Sequence, residues 1–355
     1  MISPGLVDLQ VNGFAGVDFN SAALTAAALD HALEAMLATG VTTCLPTIIT
    51  AHPDELVARF RALDAAVTGS RLGAAMCPGY HLEGPFLNPA AGYCGCHPPD
   101  AMTAADAALV ARLQGLVARP ILMVTLAPEV VGALDLIRML SRRGVIVALG
   151  HTAADFGQIA AAADAGASLS THLGNGMPQL AHKLENPIFA QLAEDRLQAS
   201  FIADGIHLHP LALKSLLRAK GLARAILVTD AVSGAAAAPG HHRFAGMDIE
   251  RTEVGAIRLA TGALAGSALC LDQAVRNLVA WGLATPQQAL AMASDHPLAL
   301  LAPALTAHGL PLPAAEVRWS AALTVAGLRI GSVERHYAPP QAQSSTLSTT
   351  RGEAP

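Results

Sequence analysis

Along this chain, short continuous apolar runs alternate with longer segments in which apolar residues recur every three to four positions. The runs VTTCLPTII, ILMVTLAP and VIVALG are almost wholly apolar or β-branched rather than alternating, which is the pattern of strands buried on both faces, and LVDLQV reads as a further strand carrying Asp8 and Gln10. The segments between them, among them 25–38, 54–67, 104–118, 155–165 and 210–220, carry helical periodicity. Strand-like and helix-like segments repeat until eight strand candidates are complete. This predicts α/β architecture, and a closed (β/α)8 TIM-type barrel fits it better than an open sheet.

The same pattern has a second feature. Apolar runs end repeatedly in a group able to bind a metal or move a proton: GYHLEGP at Glu83, VIVALGH at His151, SLSTHLGN at His172, FIADGIH at His207 and AILVTDA at Asp230. In a parallel barrel the C-terminal strand ends form the catalytic face. A lone histidine at such a place is more often a hydrogen-bonded core residue, and a lone aspartate before a turn is as often a cap. Five in register point instead to a metal-dependent hydrolase. His81, two residues before Glu83, faces the same side one layer deeper and reads as structural.

Beyond the eighth strand, a β excursion is expected over about 241–261, followed by an amphipathic helix within 268–282 and a further helix over 286–294. The barrel then occupies 1–300. The segment 301–336 holds strand-like stretches (AEVRW, ALTVAGLRI) suited to a remnant of a small β-sandwich, and 337–355 is polar and rich in Pro and Ser, as disordered tails are.

Composition narrows the partners. Hydrophobic residues make up 52% of the 355 positions and charged ones 14%. Even so, no apolar stretch reaches the roughly 20 residues of a membrane helix. No basic leader precedes Asp8, so the expectation is a cytoplasmic protein. A net charge of −5 offers no basic stripe for nucleic acid or lipid surfaces, leaving small molecules as the expected ligands. Five scattered cysteines fit reduced thiols, and Cys94-Gly-Cys96-His97, lacking a second Cys pair nearby, reads as an active-site loop rather than a zinc site.

In order along the chain, PGLVDLQVNGFAGVDFN, HLEGPFLNP, GHT, THLGNGMP, ADGIH, VTDA and LAGSAL together resemble the N-acetylglucosamine-6-phosphate deacetylases of the amidohydrolase superfamily, from Pro4 to about Pro297. The resemblance implies a barrel accompanied by a small β-sandwich built from both chain ends. With the first barrel strand starting within ten residues of Met1, that sandwich is expected to be reduced or missing. It further implies Glu83, His151 and His172 as metal ligands, Asp230 as acid/base and His207 as the group contacting the acyl carbonyl. His97, Asn175, Gly176, Asp204, Gly205, Ile206, His207, Leu264, Ala265 and Gly266 would line the sugar site. One divalent metal per chain is implied, zinc first, with Fe, Mn and Co also suited to such ligands. A homodimer is implied too.

Two departures matter. Gln10 and Asn12 stand where many amidohydrolases carry His-x-His, and carboxamides are poor zinc ligands, so one metal is expected rather than two. Lys183 stands where the family usually has an Arg-Glu-Pro run; a lysine neutralises phosphate as a point charge without the bidentate fork of arginine. The leading expectation is hydrolysis of N-acetylglucosamine 6-phosphate to glucosamine 6-phosphate and acetate, with Asp230 moving the proton. Alternatives are an amidohydrolase deacetylating a different N-acyl amino sugar or amine, phosphorylated or not, and a catalytically silent sugar-binding barrel. The presence of Asp230 speaks against the last.

Overall fold

A computed structural model describes residues 1–337; the tail expected over 337–355 lies outside the described residues apart from Tyr337. Eight parallel strands form the barrel: β1 (Leu6–Val11), β2 (Val41–Ile49), β3 (Tyr80–Glu83), β4 (Ile121–Leu126), β5 (Ile146–Leu149), β6 (Leu169–Ser170), β7 (Gln198–Phe201) and β8 (Ala225–Leu227). They neighbour one another in chain order. The barrel closes between its first and last strands, where Val11 bridges Ala231 in parallel. There Asp230 N donates to Gln10 O at 2.9 Å and Asn12 N to Ala231 O at 2.7 Å.

The strands are buried on both faces because helices cover the outside while side chains fill the inside, which is why β2 and β4 read as nearly unbroken apolar runs, whereas β1 buries Asp8 and Gln10 as well. Register places chemistry on one level, with Ile49 beside Glu83 and Glu83 beside Thr125. The helices begin where the sequence supplies caps. Thr25 accepts from Ala28 N, and Asp155 and Gln158 form a reciprocal capping box. The helix expected over 104–118 is shorter, Ala107–Gln114, because Asp106 takes the N-cap and accepts from Ala108 and Leu109. Ala133–Arg142 buries Leu136, Ile137 and Leu140 along one face.

The excursion after β8 is a three-stranded antiparallel sheet of Gly240–Phe244, Met247–Arg251 and Ile257–Leu259. Phe244, Ile249 and Ile257 pack with Ile49, Val232 and Ala265 into a small second core above the barrel mouth. A separate four-stranded sheet joins both chain ends: Ile2–Pro4 pairs antiparallel with Ala315–Trp319, which pairs with Val325–Ile330 and then Val333–His336. The sequence reading placed strands only at the C-terminal end of this unit. Three residues ahead of the barrel are enough to add another, since Met1 O accepts from Trp319 N and Ser3 Oγ from Trp319 Nε1. Among the described residues no helix is long and apolar enough to cross a membrane.

Candidate active site

Glu83 ends β3, and His151, His172 and Asp230 follow β5, β6 and β8 by two or three residues. All four line one cavity of about 300 Å³ at the C-terminal mouth of the barrel. His151, His172 and Asp230 adopt positive φ (51°, 29° and 48°) although none is glycine. Backbone held this way costs on the order of 1–3 kcal/mol per residue and gathers where side chains must be aimed. At His172 the turn is pinned by its own N–H donating to Ser200 Oγ (2.8 Å) and by Leu173 N donating to Ser200 O (2.9 Å).

Glu83 is the hub. His172 Nε2 lies 3.1 Å and His151 Nε2 3.7 Å from Glu83 Oε1, and His97 Nε2 lies 3.8 Å from Oε2. Burial would raise the Glu83 carboxyl, but contacts with His151 and His172 outweigh it and hold the group well below the usual carboxylate range. For His172, burial acts to lower its pKa, and the Glu83 hydrogen bond outweighs that and raises it. His97 is pushed down to about 3 by burial and by His151, so its ring is neutral.

A divalent metal is tested by the donor set. Glu83, His97 and His151 each offer a buried ligand atom, and these atoms all lie within 4.8 Å of one another. An anionic oxygen and imidazole nitrogens converging at that spacing suit zinc-like ions. The residues present therefore fit a metal.

Asp230 is pushed up to about 6, first by burial and then by the Glu83 charge, with His172, His207 and the Asn12 hydrogen bond opposing. Its Oδ1 accepts from Asn12 Nδ2 at 2.7 Å and Gln10 Nε2 at 3.2 Å, and Gln10 Nε2 also donates to Glu83 Oε1 at 2.9 Å. The Gln10 carboxamide thus ties the two carboxylates together with a neutral donor, and Asn12 adds a second one on Asp230. Deeper in the barrel His81 bonds Thr125 and Thr47 through its two ring nitrogens and is lowered to about 4 by burial, as a structural residue would be.

His207 Nδ1 lies 2.6 Å from Asp204 Oδ2, and Asp204 Oδ1 accepts from Ile206 N and His207 N. Burial would raise Asp204, and the His207 hydrogen bond outweighs it. A carboxylate only accepts, so Nδ1 carries the hydrogen and Nε2 is the ring nitrogen left for the cavity.

Of the residues expected around the sugar, His97, Asn175, Gly176, Ile206, His207, Leu264 and Gly266 line the cavity. Asp204 acts behind His207, and Gly205 and Ala265 stand off the wall: Gly205 packs near Trp281 and Ala265 sits in the small second core. Lys183 is exposed on the loop after Gln179 and is not part of the wall. Of the Cys94-Gly-Cys96-His97 run, His97 alone joins the metal-competent group. Sequence reasoning missed Phe244, which reaches the wall from the excursion, and Gln179. An apolar residue on a hairpin remote in sequence carries no local signal of a site.

The chain matches the Amidohydrolase family over residues 1–302. It belongs to that family. Among its relatives, N-acetylgalactosamine-6-phosphate deacetylase of Escherichia coli O157:H7 is 36% identical over 85% of this chain and 78% of its own length. N-acetylglucosamine-6-phosphate deacetylase of Bacillus subtilis is 35% identical over 78% of this chain and 69% of its own. The solved N-acetyl-D-glucosamine-6-phosphate deacetylase of Mycobacterium smegmatis, a mutant in complex with N-acetyl-D-glucosamine 6-phosphate, superposes with a TM-score of 0.80 at 31% identity, covering 92% of this chain and 85% of that one. This amidohydrolase is thus an enzyme of the metal-dependent hydrolase type, and its closed parallel barrel is that of the family.

Proposed function

We propose that this amidohydrolase removes the acetyl group of N-acetylglucosamine 6-phosphate, giving glucosamine 6-phosphate and acetate. The observation that supports it most is the convergence of Glu83, His151, His172 and Asp230 on one cavity, in a chain whose relatives are named for deacetylating hexosamine 6-phosphates. Glu83, His151 and His172 would hold one divalent ion, with zinc the first choice and Fe, Mn or Co able to use the same donors. When bound, the ion supplies Lewis acidity and lowers the pKa of a water towards about 7.

The protein's own groups do the rest. Asp230 has Oδ1 engaged by both carboxamides, which leaves Oδ2 to take a proton from the attacking water and return it to the departing amine. His207, held by Asp204, presents Nε2 to the acyl oxygen as charge develops there. Asn175, Gly176, Ile206, Leu264 and Gly266 shape the sugar pocket. A homodimer fits the exposed Leu180, Leu184 and Phe189 beside the site, at 90%, 58% and 45% exposure.

A second reading is favoured by one observation: among the described residues, neither Lys nor Arg lines the cavity. That wall would suit an unphosphorylated N-acetylated sugar. Acetate release from N-acetylglucosamine with and without the 6-phosphate, on metal-loaded and chelator-treated protein, tests both readings. No release from either sugar by the loaded enzyme would leave only another acyl amine or a binding role.

A further inference from the structure

Two apolar residues stand together on the cavity wall: Ile49, the last residue of β2, and Phe244, from the hairpin after β8. Ile49 lies beside Glu83 in register, and Val232, close after Asp230 in the chain, packs with both in the small second core. The apolar wall thus adjoins both carboxylates of the site. Asn175 and His207, whose polar groups suit a sugar, come from the segments after β6 and β7. In a barrel of eight strands in chain order, β6 stands across from β2.

One carboxylate fixes the spacing of the two apolar residues. Asp18 Oδ1 accepts from Asn20 N at 2.9 Å, and Asn20 holds the end of β2, its Oδ1 accepting from Ile49 N and its Nδ2 donating to Thr47 O, each at 2.9 Å. Asp18 Oδ2 accepts from Ala245 N at 2.8 Å, in the turn beside Phe244. From the helix Pro53–Gly69, Arg59 Nη2 donates to Ala245 O at 3.2 Å, so Ala245 is gripped at both backbone groups. Ala245 has a φ of 50° although it is not glycine, a conformation that persists only where its surroundings impose it. The network contains none of the residues assigned to the metal or the proton.

An N-acylated sugar has one part without any hydrogen-bonding group, the carbon tail of its acyl group. The acyl carbon must lie within reach of Asp230, and the wall beside Asp230 and Glu83 that offers the tail neither donor nor acceptor is made by Ile49 and Phe244. Both are buried, and Phe244 is backed by Ile249 and Ile257. A close-packed backing does not recede to admit a longer chain.

We propose that Ile49 and Phe244 form the pocket for the acyl tail and limit it to a short chain, and that Asp18 is the positioning residue that sets their spacing. This rests on the deacetylase reading above and adds the acyl specificity of the same site.

The test is release of free amine from glucosamine carrying an N-acetyl, N-propionyl or N-butyryl group, phosphorylated or not according to which sugar the wild type uses faster. The wild type, Phe244→Ala, Asp18→Ala and Asp18→Asn are compared, with metal content and thermal unfolding of each as the check on folding. An extra methylene against an apolar wall costs roughly 10- to 200-fold in kcat/KM, so the wild type is expected to prefer acetyl over butyryl by at least about tenfold. Phe244→Ala is expected to raise the butyryl-to-acetyl ratio by about tenfold or more, and Asp18→Ala by about three- to tenfold. Asp18→Asn, with one acceptor oxygen for the two N–H groups, should fall between Asp18→Ala and the wild type. Where Phe244→Ala does not fold, Phe244→Leu takes its place. Equal use of acetyl and butyryl by the wild type, or a ratio unmoved in the Phe244 variant, overturns the acyl pocket. A ratio that moves in the Phe244 variant but keeps its wild-type value in both Asp18 variants overturns the role of Asp18. No amine from any of these sugars with the metal-loaded wild type overturns the deacetylase reading, and the pocket falls with it.

Discussion

Asn12 Nδ2 donates to Asp230 Oδ1 at 2.7 Å, from the first strand of the barrel to the turn after the last. The bond favours the ionised carboxylate, whereas burial and the Glu83 charge push Asp230 up to about 6. A general base works only when deprotonated, so kcat/KM falls as pH drops through about 6. In Asn12→Leu one of the opposing contributions is lost, and that acid limb moves to higher pH. A pH profile with an unchanged limb would remove Asn12 from this role.

Replacing the carboxylate is a sharper perturbation. Asp230→Asn keeps the side-chain shape, so the barrel and the metal are retained while turnover falls at least about 10²- to 10⁴-fold, the usual worth of general acid/base catalysis. Metal content and circular dichroism measured beside the rate separate this from misfolding. Near-normal turnover would pass the proton to another group.

Metal content checks the carboxamides too. Gln10 already bridges Glu83 and Asp230 with a neutral donor and Asn12 adds another on Asp230, so elemental analysis is expected to give about one divalent ion per chain, and His151→Ala to lose most of it. Because ligand binding to the native state alone stabilises by about 2.7 kcal/mol at a hundredfold excess over Kd, chelator treatment lowers the melting temperature as well. Two tightly held ions would contradict the role given to the carboxamides.

The barrel was legible because strands buried on both faces are mostly apolar, and because Glu83, His151, His172 and Asp230 stand at the same end of those strands. Their convergence follows from the fold alone. Less could be read where the cause lies across space. His97 sits in a loop whose neighbours in sequence are Gly, Cys and Pro, and what directs it is Thr50, 47 positions away. Phe244 reaches the cavity only because the hairpin packs over Ile49 and Val232. The strand Ile2–Pro4 is too short to carry a pattern; its partner Ala315–Trp319 defines it.

Asp204 illustrates a role that lies behind the cavity wall. It accepts His207 Nδ1 at 2.6 Å and two backbone N–H groups of its own turn, so it fixes both the ring and the loop. Asp204→Ala removes a charge-assisted bond worth roughly 1.5–3 kcal/mol, or about 10- to 150-fold in kcat/KM. Metal content should not change. A variant with full activity would show that His207 needs no such support.

The phosphate poses the hardest question of recognition, since the cavity wall offers no Lys or Arg among the described residues. Lys183 stands four positions beyond the wall residue Gln179, exposed on the same loop. Exposed charges interact weakly and are screened by salt. Lys183→Ala is therefore expected to lower kcat/KM for N-acetylglucosamine 6-phosphate by about tenfold at low ionic strength, equivalent to ~1.4 kcal/mol, and by less as salt is added. The unphosphorylated sugar should be unaffected. If the wild type does not prefer the phosphorylated sugar and Lys183→Ala changes nothing, then the uncharged wall describes the substrate, and the enzyme acts on an N-acetylated sugar without phosphate.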